Sequence, residues 1–343
     1  MCIDAYENWS LQELAECKQL ANQRPYVGPV GISCIYRGKR LCAVGGNYFT
    51  RPMSETFDDF IIWHLRHALG DDWFSSQRNL PSNEQHIVMQ WGLSMGEERD
   101  RVFAAVPETD QVVSSHPTGD VQALLTLAYD VYCLCLINQL PERIMSRVRN
   151  ISEFQGVRYE IALAASLTRA GFSISWLESN ETHAEFTASL AEDTIIVEAK
   201  SRHRPGVLNE SGDCPDFSCL TADIGSLYRR ALEKPTGGLP YLIGIDVNLP
   251  LTPERAEGFD SWMRDVFELM DRSPEPTQDR PAKEFFLALT NFSWHYSGQQ
   301  PAPAHEVNYL VPEWASAVPV NRQSIIALFQ SFNCYGIRPE GVW

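Results

Sequence analysis

The stretch that most constrains the fold is residues 183–204, where polar and apolar side chains alternate on either side of a short turn. Its first half has one apolar face and one polar face, formed by Ala184, Phe186, Ala188 and Leu190 and by Glu185, Thr187 and Ser189. Its second half, Ile195-Ile196-Val197-Glu198-Ala199, is apolar on both faces. This pattern predicts a β-hairpin whose second strand lies in the interior of a sheet.

The register of this hairpin decides where its charged side chains lie. A two-residue turn at Glu192-Asp193 places Glu185 opposite Lys200, and a four-residue turn over 191–194 gives the same pairing. Because side chains alternate along a strand and paired residues share a face, Glu185, Glu198 and Lys200 then lie on one side of the sheet. A three-residue turn moves Glu185 to the other side, so the prediction depends on the turn.

Carboxylates on a central strand suggest a cation site. Two of them about 4 Å apart repel by roughly 4 kcal/mol at an effective dielectric constant near 20. A divalent cation removes that cost, and hard oxygen ligands with water suit Mg²⁺ or Mn²⁺. The alternative is a cross-strand Glu–Lys pair on the surface, which is what an isolated Glu-x-Lys usually forms.

A third glutamate precedes the hairpin. Residues 151–170 predict a helix with an apolar stripe at helical spacing, which Gly171 ends, and residues 172–177 predict a strand. Glu160 lies beside the stripe and is expected to lean toward the sheet, although a solvated helix glutamate is equally compatible with the pattern. The predicted order is a helix with Glu160, a strand, a strand with Glu185, and a strand with Glu198-x-Lys200.

In this order the chain resembles the PD-(D/E)XK, or restriction-endonuclease-like, nuclease superfamily. The resemblance is carried by Gly156-Val-Arg-Tyr-Glu160, His183-Ala-Glu185-Phe and Ile196-Val-Glu198-Ala-Lys200, and it covers roughly residues 150–250. The motif is short and degenerate, and the predicted order of the helix and strands around it makes the resemblance convincing.

The resemblance implies a metal held by Glu185, Glu198 and the carbonyl of Ala199, with Glu160 as an auxiliary ligand. It also implies that Lys200 orients and activates the attacking water and stabilises charge on the phosphate. The chain departs from the family at Glu185, where aspartate is more common, and it lacks a glutamine in the next helix that some subfamilies use.

Four arginines are candidates for contacts with a nucleic-acid backbone. Arg202 and Arg204 follow Lys200 directly, and Arg229 and Arg230 lie on a helix predicted over 222–234, off its apolar stripe. A solvated strand end and a solvated helix face explain the same residues.

The remaining elements predict an α/β fold with a mixed central sheet flanked by helices. In a nuclease domain over 146–343, we expect strands at 241–247 and 284–295, helices at 253–271 and 322–332, and a Pro-rich linker at 273–281. We expect residues 1–145 to form a mainly helical domain that recognises substrate or a partner. Its predicted elements are a hairpin of 30–36 with 40–44, a helix capped by Ser54 that ends at Gly70, and a buried helix over 120–138.

Composition limits the function. The nine cysteines are scattered without zinc-site spacing, and the sequence opens without a secretory signal pattern, so we expect a cytoplasmic protein with reduced thiols and no membrane span. The formal net charge of -16 argues against avid nonspecific binding to nucleic acid.

Together these features predict a Mg²⁺- or Mn²⁺-dependent nuclease that favours DNA, with a protein partner or a homodimer as a further expectation. The rival hypothesis is a catalytically silent module that keeps the nuclease fold and binds a protein or nucleic-acid partner.

Overall fold

The structure is a computed structural model that describes most of the chain. The described residues are 10–23, 31–105, 115–178, 183–216, 220–250, 261–272, 284–304, 306–312, 319–333 and 335–338.

The described residues form helices and two β-sheets. The helices are α1 (Leu11–Gln23), α2 (Phe57–Leu69), α3 (Asp71–Arg78), α4 (Ile87–Ala105), α5 (Gly119–Leu136), α6 (Glu142–Val148), α7 (Ile151–Arg169), α8 (Gly225–Leu232), α9 (Ser261–Asp271), α10 (Trp294–Ser297) and α11 (Arg322–Asn333). The strands are β1 (Ile32–Tyr36), β2 (Lys39–Val44), β3 (Asn47–Arg51), β4 (Ser173–Trp176), β5 (Phe186–Leu190), β6 (Asp193–Ser201), β7 (Tyr241–Asp246), β8 (Phe286–Asn291) and β9 (Glu306–Leu310).

The larger sheet has six strands in the order β4-β5-β6-β7-β8-β9. The pairs β4–β5, β5–β6 and β8–β9 are antiparallel, whereas β6–β7 and β7–β8 are parallel. The predicted mixed sheet flanked by helices is therefore confirmed. β6 is an inner strand, as its apolar character on both faces indicates.

The β5–β6 hairpin differs from the predicted register by two residues. Its turn is Ala191-Glu192, because Leu190 pairs with Asp193 and Phe186 pairs with Val197. Glu185 therefore lies opposite the Val197–Glu198 peptide rather than opposite Lys200. Its N–H donates to the Val197 carbonyl at 3.0 Å. A shift of two residues preserves the alternation of faces, so Glu185 and Glu198 still lie on the same face of the sheet.

Helices cover both faces of this sheet. Side chains of α5, α7 and α11 share a core with Val197, Leu242 and Phe286. Side chains of α8 and α9 pack with Ile196, Ile243 and Leu289 on the opposite face. Gly244 lets α7 approach closely, since a Cβ there would lie 2.8 Å from the Tyr159 hydroxyl and 2.6 Å from a Leu163 methyl.

The first part of the chain is α-rich and contains the antiparallel sheet β1-β2-β3. The hairpin predicted around Arg37-Gly38-Lys39 is confirmed, with Tyr36 paired to Lys39. The cap of α2 is Thr56 rather than Ser54, because Thr56 and Asp59 form a reciprocal capping box. Residues of this part belong to the same continuous core as α7 and α11. The boundary near residue 145 stays a prediction.

Other predicted elements need smaller corrections. The strand predicted over 284–295 ends at Asn291, where the Phe292 N–H donates to the Asp246 carboxylate and α10 follows. The helix predicted over 222–234 is shorter, and the linker predicted at 273–281 lies outside the described residues. Among the described helices, α5 alone has the length and hydropathy of a membrane span, but 78% of that window is buried, as predicted for a core helix.

Candidate active site

The candidate site is built around Glu198, which lies in the middle of β6. Its side chain is 0% exposed. The Lys200 ammonium is in direct ion-pair contact with its Oε1, and no other described side chain or backbone group donates a hydrogen bond to either carboxylate oxygen. A fully buried carboxylate is costly unless cations compensate its charge.

Lys200 joins the two glutamates of the hairpin. Its Nζ lies 3.8 Å from Glu185 Oε1 as well as against Glu198. The Lys200 side chain is 20% exposed and the Glu185 side chain 23%, so solvent reaches this side of the cluster. The structure thus brings together Glu185, Glu198 and Lys200.

The carbonyl of Ala199 is directed toward the same edge of β6. The Val197 carbonyl accepts from Glu185 on the β5 side, whereas the Ile196 and Arg202 N–H groups donate to carbonyls on the β7 side. Because backbone groups alternate between the two edges of a strand, the Ala199 carbonyl also points to the β5 side. It lies past the last β5–β6 pair, Phe186 with Val197.

Glu160 is placed differently from the other two glutamates. It lies on α7 and is buried, and both its oxygens accept from the Arg147 guanidinium, at 2.6 and 2.7 Å. Arg147 lies in the last turn of α6 and also donates to Glu153 at 2.9 Å. Glu160 therefore stands beside the cluster with its charge already satisfied.

Burial and crowding control the protonation of the two hairpin glutamates. Burial is the main cause that raises the pKa of Glu185 to about 7, and the charges of Glu160 and Glu198 raise it further, against the lowering effect of Lys200 and Arg147. Burial also raises the pKa of Glu198, and Lys200 opposes that shift. Both shifts favour the neutral acid over the carboxylate.

The four arginines predicted to bind substrate have distinct positions. Arg202 is partly exposed and pairs with Asp223 at 2.7 Å. Arg204 is buried, and its guanidinium donates to the carbonyls of Asn248, Thr221 and Val247, so it is directed into the protein. Arg229 and Arg230 are exposed on α8, where each Nε donates to a carbonyl of its own helix.

The two hairpin glutamates have the chemistry of a divalent-cation site. The fit rests on Glu198, whose buried carboxylate has Lys200 as its ion-pair partner among the described residues, and on Glu185, which shares that ammonium. The described part of the chain has no group of three or more His, Cys, Asp or Glu side chains that could hold a metal ion. Glu160, the third predicted ligand, is instead held by Arg147.

Two cations near the site were not identified as site residues from the sequence. Arg147 holds Glu160, and Lys234 donates to the His183 carbonyl at 3.0 Å while its charge lowers the pKa of Glu198. A group of arginines around the Glu160 helix is visible in the sequence, but nothing local indicates which of them pairs with Glu160.

Comparisons of this chain with protein-family models, with curated proteins and with solved structures gave no match.

Proposed function

We propose that this chain is a metal-dependent nuclease with a restriction-endonuclease-like core that acts as a DNA endonuclease. The observation that carries the proposal is the buried Glu198 carboxylate on β6, which Lys200 contacts directly while the same ammonium lies 3.8 Å from Glu185 Oε1. The order α7, β4, β5, β6 also supports the proposal, because it is the order in which the motif residues were expected.

The proposed roles follow from the positions of the side chains. Glu185, Glu198 and the Ala199 carbonyl would hold Mg²⁺ or Mn²⁺. Such an ion, when bound, lowers the pKa of a water and neutralises charge on the phosphate. Lys200 is the partly exposed cation of the cluster, so it would orient the attacking water and donate to a phosphoryl oxygen. Arg147 would hold Glu160 in place beside Glu185.

Hydrolysis of nucleic acid tests this proposal directly. Plasmid, linear duplex and single-stranded DNA, and RNA, would each be incubated with the full chain and Mg²⁺, Mn²⁺ or a chelator. We expect metal-dependent cleavage of DNA that Lys200→Ala reduces by about 10²-fold or more, the usual loss when one transition-state donor is removed. Absence of cleavage with every substrate and metal would contradict the proposal.

The variants need a control for folding, because Lys200→Ala leaves Glu198 buried without its cation. The double variant Glu198→Gln/Lys200→Met removes both charges together and avoids that penalty. The matched control is Lys18→Ala, since Lys18 lies over Tyr309 on β9, three strands away from β6. We expect the double variant to be inactive and folded and the control to be fully active.

A second candidate is a catalytically silent module with the same fold that binds a partner. The contact between Lys200 and Glu198 favours it, because the buried charge is already compensated within the chain. The net charge of -16 also opposes binding to nucleic acid. Specific binding of a partner without cleavage, unaffected by the double variant, would support this module.

A further inference from the structure

In the small sheet β1-β2-β3, strands β2 and β3 pack one face against the protein, and the other face is open to solvent. On β1, Ser33 and Ile35 belong to the packed face but are exposed. On the inner face, Cys42 and Val44 are buried, and the Phe49 ring lies 5.1 Å from that of Trp63 and 5.4 Å from that of His67 on α2. These contacts fix the sheet on the body of the protein. The outer face is formed by the residues that alternate with these inner residues along each strand.

The outer face carries two exposed aromatic rings. Tyr36 pairs with Lys39 on β2, and Tyr48 pairs with Ala43, four residues further along the same strand. Paired and alternate residues share a face, so both tyrosines and Lys39 project from the outer side. Tyr36 is 59% exposed and Tyr48 74%. From strand spacings the two residues lie roughly 16 Å apart on a diagonal.

The charge of this sheet is opposite to that of the whole protein. Residues 32–51 contain four basic side chains and no acidic one, whereas the whole chain has 44 acidic and 28 basic residues. Arg51 pairs with Glu55, but Arg37 and Lys39 are exposed at the tip of the hairpin, and the Arg37 guanidinium lies over the Tyr36 ring at 5.1 Å. The outer face therefore joins stacking surfaces to positive charge.

We propose that this outer face binds single-stranded DNA, with bases stacked on Tyr36 and Tyr48 and phosphates held by Arg37 and Lys39. The inference rests on the proposed function for its choice of DNA. Exposed rings on a sheet accept unpaired bases, whose faces are open, whereas the bases of a duplex are already stacked. Positive charge without any acidic neighbour in 32–51 fits a polyanion better than an average protein surface.

Binding of a fluorescent thymidine oligonucleotide tests this surface. Anisotropy would be measured with the full chain in chelator, so that cleavage does not interfere. Stacking on each ring is worth at least about 1 kcal/mol, or fivefold, so Tyr36→Ala/Tyr48→Ala should weaken binding by about 25-fold or more. Tyr48→Phe keeps the ring and should bind normally. Phe103→Ala, a matched control on α4 whose ring is 67% exposed, should do the same.

The salt dependence of binding tests the two basic residues separately. Each phosphate contact to a single strand contributes about 0.7 to the slope of log affinity against log salt concentration. Arg37→Gln/Lys39→Gln should therefore lower the magnitude of that slope by about 1.4. An unchanged slope would overturn the assignment of these residues to phosphates.

Other outcomes separate this proposal from the proposed nuclease. If the chain cleaves DNA but Tyr36→Ala/Tyr48→Ala binds the oligonucleotide as well as the unmodified chain does, the proposed binding surface is wrong and the proposed nuclease activity is supported. If the oligonucleotide binds through the tyrosines but no substrate is cleaved, the proposed binding surface is supported and the proposed nuclease activity is wrong. Tighter binding of duplex DNA or RNA than of single-stranded DNA would contradict the proposed binding surface. Self-association of the chain through these tyrosines without DNA binding would also contradict it.

Discussion

Glu185 is the side chain whose ionisation should govern the candidate site. Its pKa of about 7 means that the acid is mostly neutral below that pH and mostly ionised above it. Since a cation binds the carboxylate and not the acid, we expect the affinity for Mg²⁺ to rise as the pH increases through about 7 and to level off above that range. Calorimetric titration of the full chain with Mg²⁺ at several pH values would measure this dependence.

The same shift has the opposite consequence for folding without metal. The folded protein holds a proton on Glu185 at pH values where the unfolded chain, with its ordinary glutamate pKa near 4.5, has lost it. In chelator, this residue therefore favours the folded state at low pH, and that contribution is lost as the pH rises from about 4.5 through 7. Glu185→Gln should flatten the pH dependence of both the Mg²⁺ affinity and the unfolding free energy. Unchanged curves would contradict the shift.

Arg147 should stabilise the Glu160 side chain in its buried position. Arg147→Met leaves the Glu160 carboxylate without its two hydrogen bonds, so we expect a loss of about 2–3 kcal/mol in the free energy of unfolding. The double variant Arg147→Met/Glu160→Gln should lose less than Arg147→Met alone, because it leaves no unpaired charge. Urea unfolding of the single and double variants would measure both values, and equal losses would show that the pair is not coupled.

The sequence predicts some parts of this site and not others, for a physical reason. Glu198 and Lys200 share a face by the alternation of a single strand, so the neighbouring residues are enough to place them together. The partner of Glu160 and the inward direction of Arg204 depend on α6 and on residues 247–248, which lie far away along the chain. Local sequence patterns therefore do not indicate these long-range contacts.

At the scale of elements, the β5–β6 turn carries backbone strain. Ala191 has a φ of 53°, in the left-handed region that residues other than glycine adopt at a cost of about 1–2 kcal/mol. Ala191→Gly removes that strain but adds chain entropy to the unfolded state, so we expect a net gain of about 0.5–1 kcal/mol. Thermal or urea unfolding would measure it, with Ala188→Gly on β5 as a destabilising control. A loss of stability at Ala191 would contradict the turn that the structure shows.

The accuracy of the predicted elements follows the strength of their local patterns. β5, β6 and α7 have clear periodicity and lie close to their predicted positions. The predicted turn of the hairpin is displaced by one residue, which shifts the pairing register by two. The strands β3 and β9 and the helices α1, α3, α4, α6 and α10 were not predicted. α4 buries few residues along its length, and α6 is too short for its apolar residues to show a helical period in the sequence.

For the whole molecule, the described contacts join the two predicted domains through one core. α5 packs against α7, and α1 packs against α11 near the other end of the chain. Across the first of these contacts, the buried Arg169 donates to the buried Asp130 at 2.5 Å. Removing one partner of such a pair costs about 3–5 kcal/mol, because the other charge is left buried without compensation.

A fragment of residues 146–343 should therefore fail to fold alone, even though it contains the whole candidate site. It would expose the face of α7 that α5 covers and would leave Arg169 without Asp130. We expect the fragment to show no cooperative thermal transition, and co-expression of residues 1–145 as a separate chain to restore one. A soluble fragment with its own sharp transition would show two independent domains, as the sequence predicts. In that case the core shared by α5 and α7 would be an interface between domains that fold separately.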